Sequence, residues 1–278
     1  MIRVGMSTTC VHSRPLDETF ELAAAAGFDG VEVMITHDPR TRDAALLRRL
    51  SERHGQPILS IHAPVLVRTQ LIWGTSPHAK LARSAELAVR VGASTVVVHP
   101  PFRWQPRTIA GFARSVRTIS REFGVEIAVE NMFAFNVRGR RISAFAPSWN
   151  PADLDCDAAT LDFSHASIAG VDSLDLATRL GDRLRHVHLC DGIDEPGRAF
   201  DEHLVPGEGT QPVAEVLQLL ASRGWEGSLV AEVKTSGAAS EEERLDMLRR
   251  TIAFARQHTC TPSRSDAEER PEVVSRRP

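Results

Sequence analysis

The sequence predicts an α/β protein built as a single (β/α)8 barrel, and three observations carry that expectation. Eight short apolar runs rich in Val, Ile and Leu recur along the chain, and longer amphipathic segments lie between them. No glycine-rich phosphate fingerprint follows the first run, which weighs against a doubly wound sheet, the structural alternative.

In order, the strand candidates are IRVGMS (2–7), GVEVM (30–34), PILSIH (57–62), STVVVHP (94–100), VEIAVEN (125–131), AATLDF (158–163), LRHVHLCD (184–191) and GSLVAEV (227–233). The segment LDETFELAAAAG (16–27) reads as a helix stopped by a glycine. SPHAKLARSAELAVRVG (76–92) opens on Ser-Pro and closes on glycine, a start and a stop signal. PVAEVLQLLASRG (212–224) and EEERLDMLRRTIAFARQ (241–257) carry the same pattern. Together these units give one barrel over residues 1–259. Residues 260–278, polar and without period, are expected to form a disordered tail. The stretches 133–150 and 190–210 are long for loops of such a barrel, and long ordered loops often carry function.

Composition narrows the function. The chain has 278 residues, a size that α/β barrels reach as one domain, and 42% hydrophobic residues suit a sizeable core. A formal charge of −3 gives no general attraction to nucleic acid or anionic lipid. The four cysteines, Cys10, Cys156, Cys190 and Cys260, have no CxxC spacing and suit a reducing compartment. No apolar run has the length of a membrane span, and MIRVGMSTT does not read as a secretion signal. The expected location is cytoplasmic.

The ends of the strands carry the chemistry. Side chains alternate along a strand, so one parity of each run faces the barrel axis. At or near the run ends stand Glu32, His62, His99, Glu130, Asp162, His188 and Glu232. Ser60, Ala128, Thr160 and His186 lie one step behind on the same faces, while the opposite parity is mainly Val, Ile and Leu. The C-terminal strand ends of such a barrel form one mouth, where active sites sit, so these ionisable groups are expected to converge there. His165 follows Asp162 at the start of a helical turn, and the loop DEHLVPGEG (201–209) adds Asp201 and His203. Glu130, Asp162, Asp201 and Glu232 then place four carboxylates in one cavity. Out of water such charges repel and some must take up protons, unless a divalent cation neutralises them. Histidine with carboxylate is an ordinary ligand set for Zn, Mn, Fe or Co. Trp73, Phe102, Trp104, Phe133 and Trp149 lie on loops past strand ends, as pocket walls or as plain packing. No role is read for Cys190, and His12, His37, His54, His78 and His258 read as surface or loop residues.

GFDGVEV, VVVHP, VEN, LDFSHA, HVHLCDG, DEHLVPGEG and AEV, in that order, resemble the xylose isomerase-like barrel superfamily over roughly residues 1–258. That group includes endonuclease IV, tagatose/psicose 3-epimerases and sugar phosphate isomerases/epimerases. Two site patterns follow from the resemblance. The epimerase pattern implies one Mn- or Mg-type ion on Glu130, Asp162, His188 and Glu232. Glu130 and Glu232 would then also move protons, and His165 would touch substrate. The endonuclease IV pattern implies three zinc ions on His62, His99, Glu130, Asp162, His165, His188, Asp201, His203 and Glu232.

The expected function is a metal-dependent isomerase or epimerase of a small-molecule sugar or sugar phosphate, with one to three divalent ions (Mn, Mg or Zn). The alternative is a zinc phosphodiesterase acting on abasic DNA or another phosphoester, and a third reading is a barrel that binds metal or sugar without catalysis. Nucleic acid is disfavoured as a partner. The chain has no tyrosine, whereas the resemblance implies one entering the DNA from the stretch HAPVLVRTQLIWG (62–74). Its charge is not basic either, and Arg138, Arg140 and Arg141 are the local cationic group.

Overall fold

Eight parallel strands close on themselves in the computed structural model, which describes residues 2–12, 14–64, 69, 71–137, 140–195 and 200–260. The barrel strands are β1 (Arg3–Ser7), β2 (Val31–Met34), β3 (Ile58–His62), β4 (Thr95–Val98), β5 (Glu126–Glu130), β8 (Ala158–Asp162), β9 (Leu184–Leu189) and β10 (Ser228–Ala231). Around the barrel they follow chain order, with β10 paired to β1. Every pairing in the barrel is parallel. β3 and β8 are buried along their whole length, which is why they read as near-continuous apolar runs. Each of the eight sequence runs contains one barrel strand. β4, β9 and β10 stop at Val98, Leu189 and Ala231, so His99, Cys190 and Glu232 begin the loops.

The helices are α1 (Leu16–Ala26), α2 (Ala44–His54), α3 (Pro77–Val91), α4 (Pro106–Phe123), α5 (Phe163–Ile168), α6 (Ser173–Leu180), α7 (Val213–Ser222) and α8 (Glu241–Thr259). The four patterns read from sequence give α1, α3, α7 and α8. Ser76 caps α3 by accepting from the Ala79 N–H, and Gly27 and Gly92 end α1 and α3 in the left-handed conformation that favours glycine. The four sequence patterns do not cover α2, α4 and α6. In α2 only Ala44, Leu47 and Leu50 are buried, and α6 has just 8 residues, so their apolar stripes are narrow. Phe20, Leu47, Ile119, Leu176 and Leu248 of the helices share one buried core with Val33, Ile61 and Leu161 of the strands. Each such side chain contributes about 1.5–3 kcal/mol by leaving water.

The stretch read as a long loop carries a small antiparallel hairpin, β6 (Phe135–Val137) with β7 (Arg140–Ile142). It is pinned to the loop after β4: Phe102 bridges Phe145, and the Arg103 side chain donates to the Ser143 carbonyl at 2.6 Å. Arg138 lies outside the described residues, as do residues 261–278 of the stretch 260–278 read as a tail; Cys260 is the C-cap of α8. Among the described residues no helix is long and apolar enough to cross a membrane.

Candidate metal centre

Glu130 ends β5 at the centre of the barrel mouth, almost wholly buried. Its Oε2 lies 2.9 Å from His99 Nε2 and 3.3 Å from His62 Nε2. Its Oε1 lies 3.0 Å from His188 Nδ1 and 3.2 Å from His165 Nδ1. One carboxylate therefore faces four imidazoles from four strand ends. His62 Nδ1 sits 3.2 Å from the Ala63 carbonyl while Nε2 faces Glu130, so a ring protonated on both nitrogens donates to both acceptors, and, against its burial, Glu130 raises the His62 pKa.

His188 Nδ1 is the second focus. Glu130, Glu232 Oε2 at 3.1 Å and Asp162 Oδ2 at 3.5 Å surround it. One ligand atom from each of Glu130, Asp162, His188 and Glu232 falls within 4.8 Å of the others. Local structure holds these groups still. Asn131 donates to the Asp162 carbonyl and accepts from its N–H at 2.7 Å, tying β5 to β8. Asp162 Oδ1 accepts the His165 N–H at the start of α5. Thr9, just past β1, donates to Glu232 Oε1 at 3.0 Å, and Ser7 lies 3.4 Å from the same oxygen. Sequence reading missed both hydroxyls, since Ser and Thr give no signal beside ionisable neighbours.

The loop DEHLVPGEG reaches the same mouth. His203 Nε2 lies 2.9 Å from Asp201 Oδ1, and His165 Nε2 lies 3.7 Å from Asp201 Oδ2. Asp162, His165 and His203 form a further cluster within 4.8 Å. Ser164 supports it, donating to Asp201 at 2.8 Å and accepting the Glu202 and His203 N–H groups. His203 has φ 46°, a left-handed backbone that a non-glycine residue adopts only when its surroundings fix it. Behind the loop, the buried Asp191 carboxylate accepts four backbone N–H groups, from Gly192, Gly207, Gly209 and Gln211. A Cβ at Gly209 would meet Asp191 Oδ1 at 2.3 Å and the Gly192 carbonyl at 2.5 Å. Gly209→Ala is therefore expected to cost about 1–3 kcal/mol in urea unfolding with an unchanged slope. An unchanged midpoint would show that Asp191 does not clamp this loop.

The nine residues singled out as ligand candidates thus all gather at one mouth. Glu32 does not join them: it pairs in register with Ser60 rather than His62, one layer deeper. There it accepts from Ser60 Oγ at 2.7 Å and lies 3.0 Å from His186 Nε2. Of the aromatics, Phe102, Phe133, Phe145 and Trp149 form a separate packed cluster with Met132. Phe133 and Phe145 set ring contacts on His165 and His99, at centroid distances of 5.2 and 6.4 Å. Trp73 packs against the main core, and Trp104 is exposed and stacked on Phe102. Burial and the nearby Asp162 carboxylate hold the Cys190 thiol well above its ordinary pKa, as a neutral packing group. His54, read as surface, is half-buried in α2 and bonded to Asp17 at 2.9 Å.

Electrostatics agree with a cation-binding set. Burial works against ionisation of Glu130, but His188 and His99 outweigh it and hold the carboxyl well below the usual range. Asp162 and Asp201 are lowered for the same kind of reason, with His165 prominent for each. Burial raises Glu232. Burial disfavours the charged forms of His165 and His188 too, yet the carboxylates raise both rings well above the ordinary histidine value. In the metal-free chain, protons thus supply the positive charge that the carboxylates require. Three carboxylates and one imidazole nitrogen within 4.8 Å fit a divalent cation by donor chemistry and by charge.

The family model described as xylose isomerase-like TIM barrel matches residues 20–258. The chain belongs to the xylose isomerase-like TIM barrel family. Uncharacterized protein Rv0498 of Mycobacterium tuberculosis (strain ATCC 25618 / H37Rv) is 46% identical over 276 residues, covering 92% of this chain and 98% of that one. Fructoselysine 3-epimerase of Escherichia coli O157:H7 is 22% identical over 259 residues, covering 84% of this chain and 91% of that one. Among solved structures, a D-tagatose 3-epimerase-like protein superposes with a TM-score of 0.66 at 22% identity, covering 93% of this chain and 100% of that chain. That likeness shows a shared barrel fold.

Proposed function

We propose that the chain is a metal-dependent isomerase or epimerase acting on a sugar or sugar phosphate. The observation that carries this reading is the pair of glutamates on either side of His188 Nδ1, Glu130 at 3.0 Å and Glu232 at 3.1 Å, with Asp162 closing the set. Sugar epimerases among its relatives and structural neighbours support the substrate class.

Isomerisation beside a carbonyl needs one proton removed and one returned. Glu130, Asp162, His188 and Glu232 would hold a divalent ion, which would supply a Lewis acid for the substrate carbonyl and the charge on its oxygen. Glu130, held ionised by its imidazole neighbours, takes the proton from the carbon beside the carbonyl. Glu232, raised by burial, returns a proton to the opposite face. Thr9 holds Glu232 in place through its hydroxyl. Asn131 accepts from His165 Nδ1 through its carbonyl at 2.9 Å, and Nε2, on the Asp201 side at 3.7 Å, would be the atom that touches substrate.

A second reading rests on a different observation. His165, Asp201 and His203, with His62 and His99 on Glu130, exceed what one ion needs and suit a zinc phosphodiesterase. One experiment separates the two. The metal-loaded protein is given a panel of ketoses, aldoses and their phosphates, and separately an abasic-site duplex. Chelator-sensitive sugar turnover that Glu232→Gln lowers by about 10²–10⁴-fold, the size of a lost general acid, is the expected result. Incision of the duplex, lost in His203→Ala, with no sugar turnover would replace this reading by the second.

A further inference from the structure

Beneath the mouth lies a layer of polar groups that neither reading uses. Glu32, Ser60, His186 and the lower edge of His188 fill the barrel axis, and Glu32, Ser60, His186 and His188 are all fully buried. Glu32, His186 and His188 bring ligand-type atoms within 4.8 Å of one another. A carboxylate this deep carries a large desolvation cost, and an apolar side chain would fill the space without it. The division of its two oxygens shows what it does. Oε2 accepts from Ser60 Oγ at 2.7 Å and lies 3.0 Å from His186 Nε2. Oε1 has no hydrogen-bond partner, and neither has His188 Nε2, yet these two atoms face each other at 3.3 Å. Buried polar atoms in native proteins are paired, so each is the other's remaining partner. A small rotation of either side chain brings them into line.

We propose that Glu32 is a positioning residue for the metal centre: it accepts the Nε2 proton of His188 from below and so presents the bare Nδ1 to Glu130, Asp162 and Glu232. This rests on the reading of His188 Nδ1 as a metal ligand. A neutral imidazole has one donor nitrogen and one acceptor, so fixing the proton on Nε2 fixes the lone pair on Nδ1. The ring cannot easily turn away. His62 stacks on one side of it at a centroid distance of 5.6 Å and 15°, and His186 meets it edge-on at 5.3 Å and 87°. The Ser60 hydroxyl bonds Oε2 and His186 Nε2 crowds it at 3.0 Å, which leaves Oε1 for His188. A carboxylate behind a ligating histidine also makes the ligand more basic, and losing such a partner weakens metal binding by about 10–100-fold.

The test uses the full chain stripped of metal and titrated with zinc. Glu32→Leu, which removes the acceptor, is expected to bind zinc about 10–100-fold more weakly. Glu32→Gln, which keeps an acceptor oxygen, is expected to recover part of that loss. In zinc-loaded wild type labelled with 15N-histidine, His188 (assigned by its loss in His188→Asn) is expected to carry its proton on Nε2. A purely structural Glu32 would shift the melting temperature without moving the zinc affinity. Asp162→Asn serves as the reference. If it loses zinc while Glu32→Leu binds as wild type, the positioning role is overturned and the metal centre stands. If Asp162→Asn also binds as wild type, the metal centre itself is wrong. Should Glu32→Leu not fold, the wild-type spectrum decides: a His188 proton on Nδ1 with a bare Nε2 overturns the proposal.

Discussion

Glu130→Gln is expected to abolish the stabilisation that metal gives this protein. Among the described residues Glu130 is the one carboxylate that touches His62, His99, His165 and His188, through both of its oxygens. It belongs to two of the donor clusters at the mouth, so its loss removes a ligand from each. Glutamine matches its shape but carries no charge, and its amide group would point a donor at imidazole nitrogens that need an acceptor. A ligand present at 100 times its dissociation constant stabilises a folded protein by about 2.7 kcal/mol. For a chain of this length each kcal/mol moves the melting temperature by about 2–4 °C. Wild type is thus expected to melt roughly 5–10 °C higher with saturating metal than with chelator. The variant is expected to melt at the same temperature in both, with the circular dichroism of a folded barrel. The same metal-dependent shift in Glu130→Gln, with the same metal content per chain, would remove Glu130 from the centre.

That prediction concerns residues the sequence marked in advance, and the reason they were legible is physical. A parallel barrel strand is buried on both faces, so an ionisable side chain at its end interrupts an apolar run and stands out. His62, Glu130, Asp162 and His188 were read this way, and each ends a strand or lies one residue short of its end. The depth of Glu32 was not legible. It depends on the stagger between β2 and β3, with Glu32 opposite Ser60 and Met34 opposite His62. Barrel closure sets that stagger, and no local pattern encodes it. The Asp191 clamp was hidden for a related reason. Its carboxylate gathers N–H groups up to 20 residues further on, with no period to betray it. The pair Asp201 and His203 was visible as residue types, while the Ser164 hydroxyl that holds them needed α5 folded beside the loop.

Metal affinity is expected to rise steeply with pH, because protons occupy the ligand atoms in the metal-free chain. Burial works against the charged His203 ring, but Asp201 at 2.9 Å and Asp162 outweigh it and carry the pKa up to about 9. His165 and His188 are also raised well above the ordinary value. A ring must release its proton before it ligates, so each ring that does so adds about a tenfold gain in apparent affinity per pH unit below its pKa. The one-ion site has one such ring, His188; a second ligating ring such as His203 would give about a hundredfold gain per unit and favour the second reading. The metal-free protein is expected to move the other way. A raised histidine pKa stabilises the fold fully below the unfolded value of 6.5, and that contribution fades as pH climbs through about 9. The lowered carboxyls Glu130, Asp162 and Asp201 act in the opposite sense, but only as pH falls below their ordinary range, so they do not enter this window. His99 and His186, lowered by burial, act the other way as pH rises through 6.5, so the window opens above them: between about pH 7.5 and pH 8.5 the melting temperature should fall with chelator present, and the gain on adding metal should widen. Calorimetric titration in buffers of different ionisation enthalpy measures the protons released, with at least one per bound ion expected near neutral pH. A metal-dependent gap that stays constant over this range, with no proton release, would mean that these histidines are not ligands. The ion would then sit on carboxylates alone, and His203 would be left as a structural partner of Asp201.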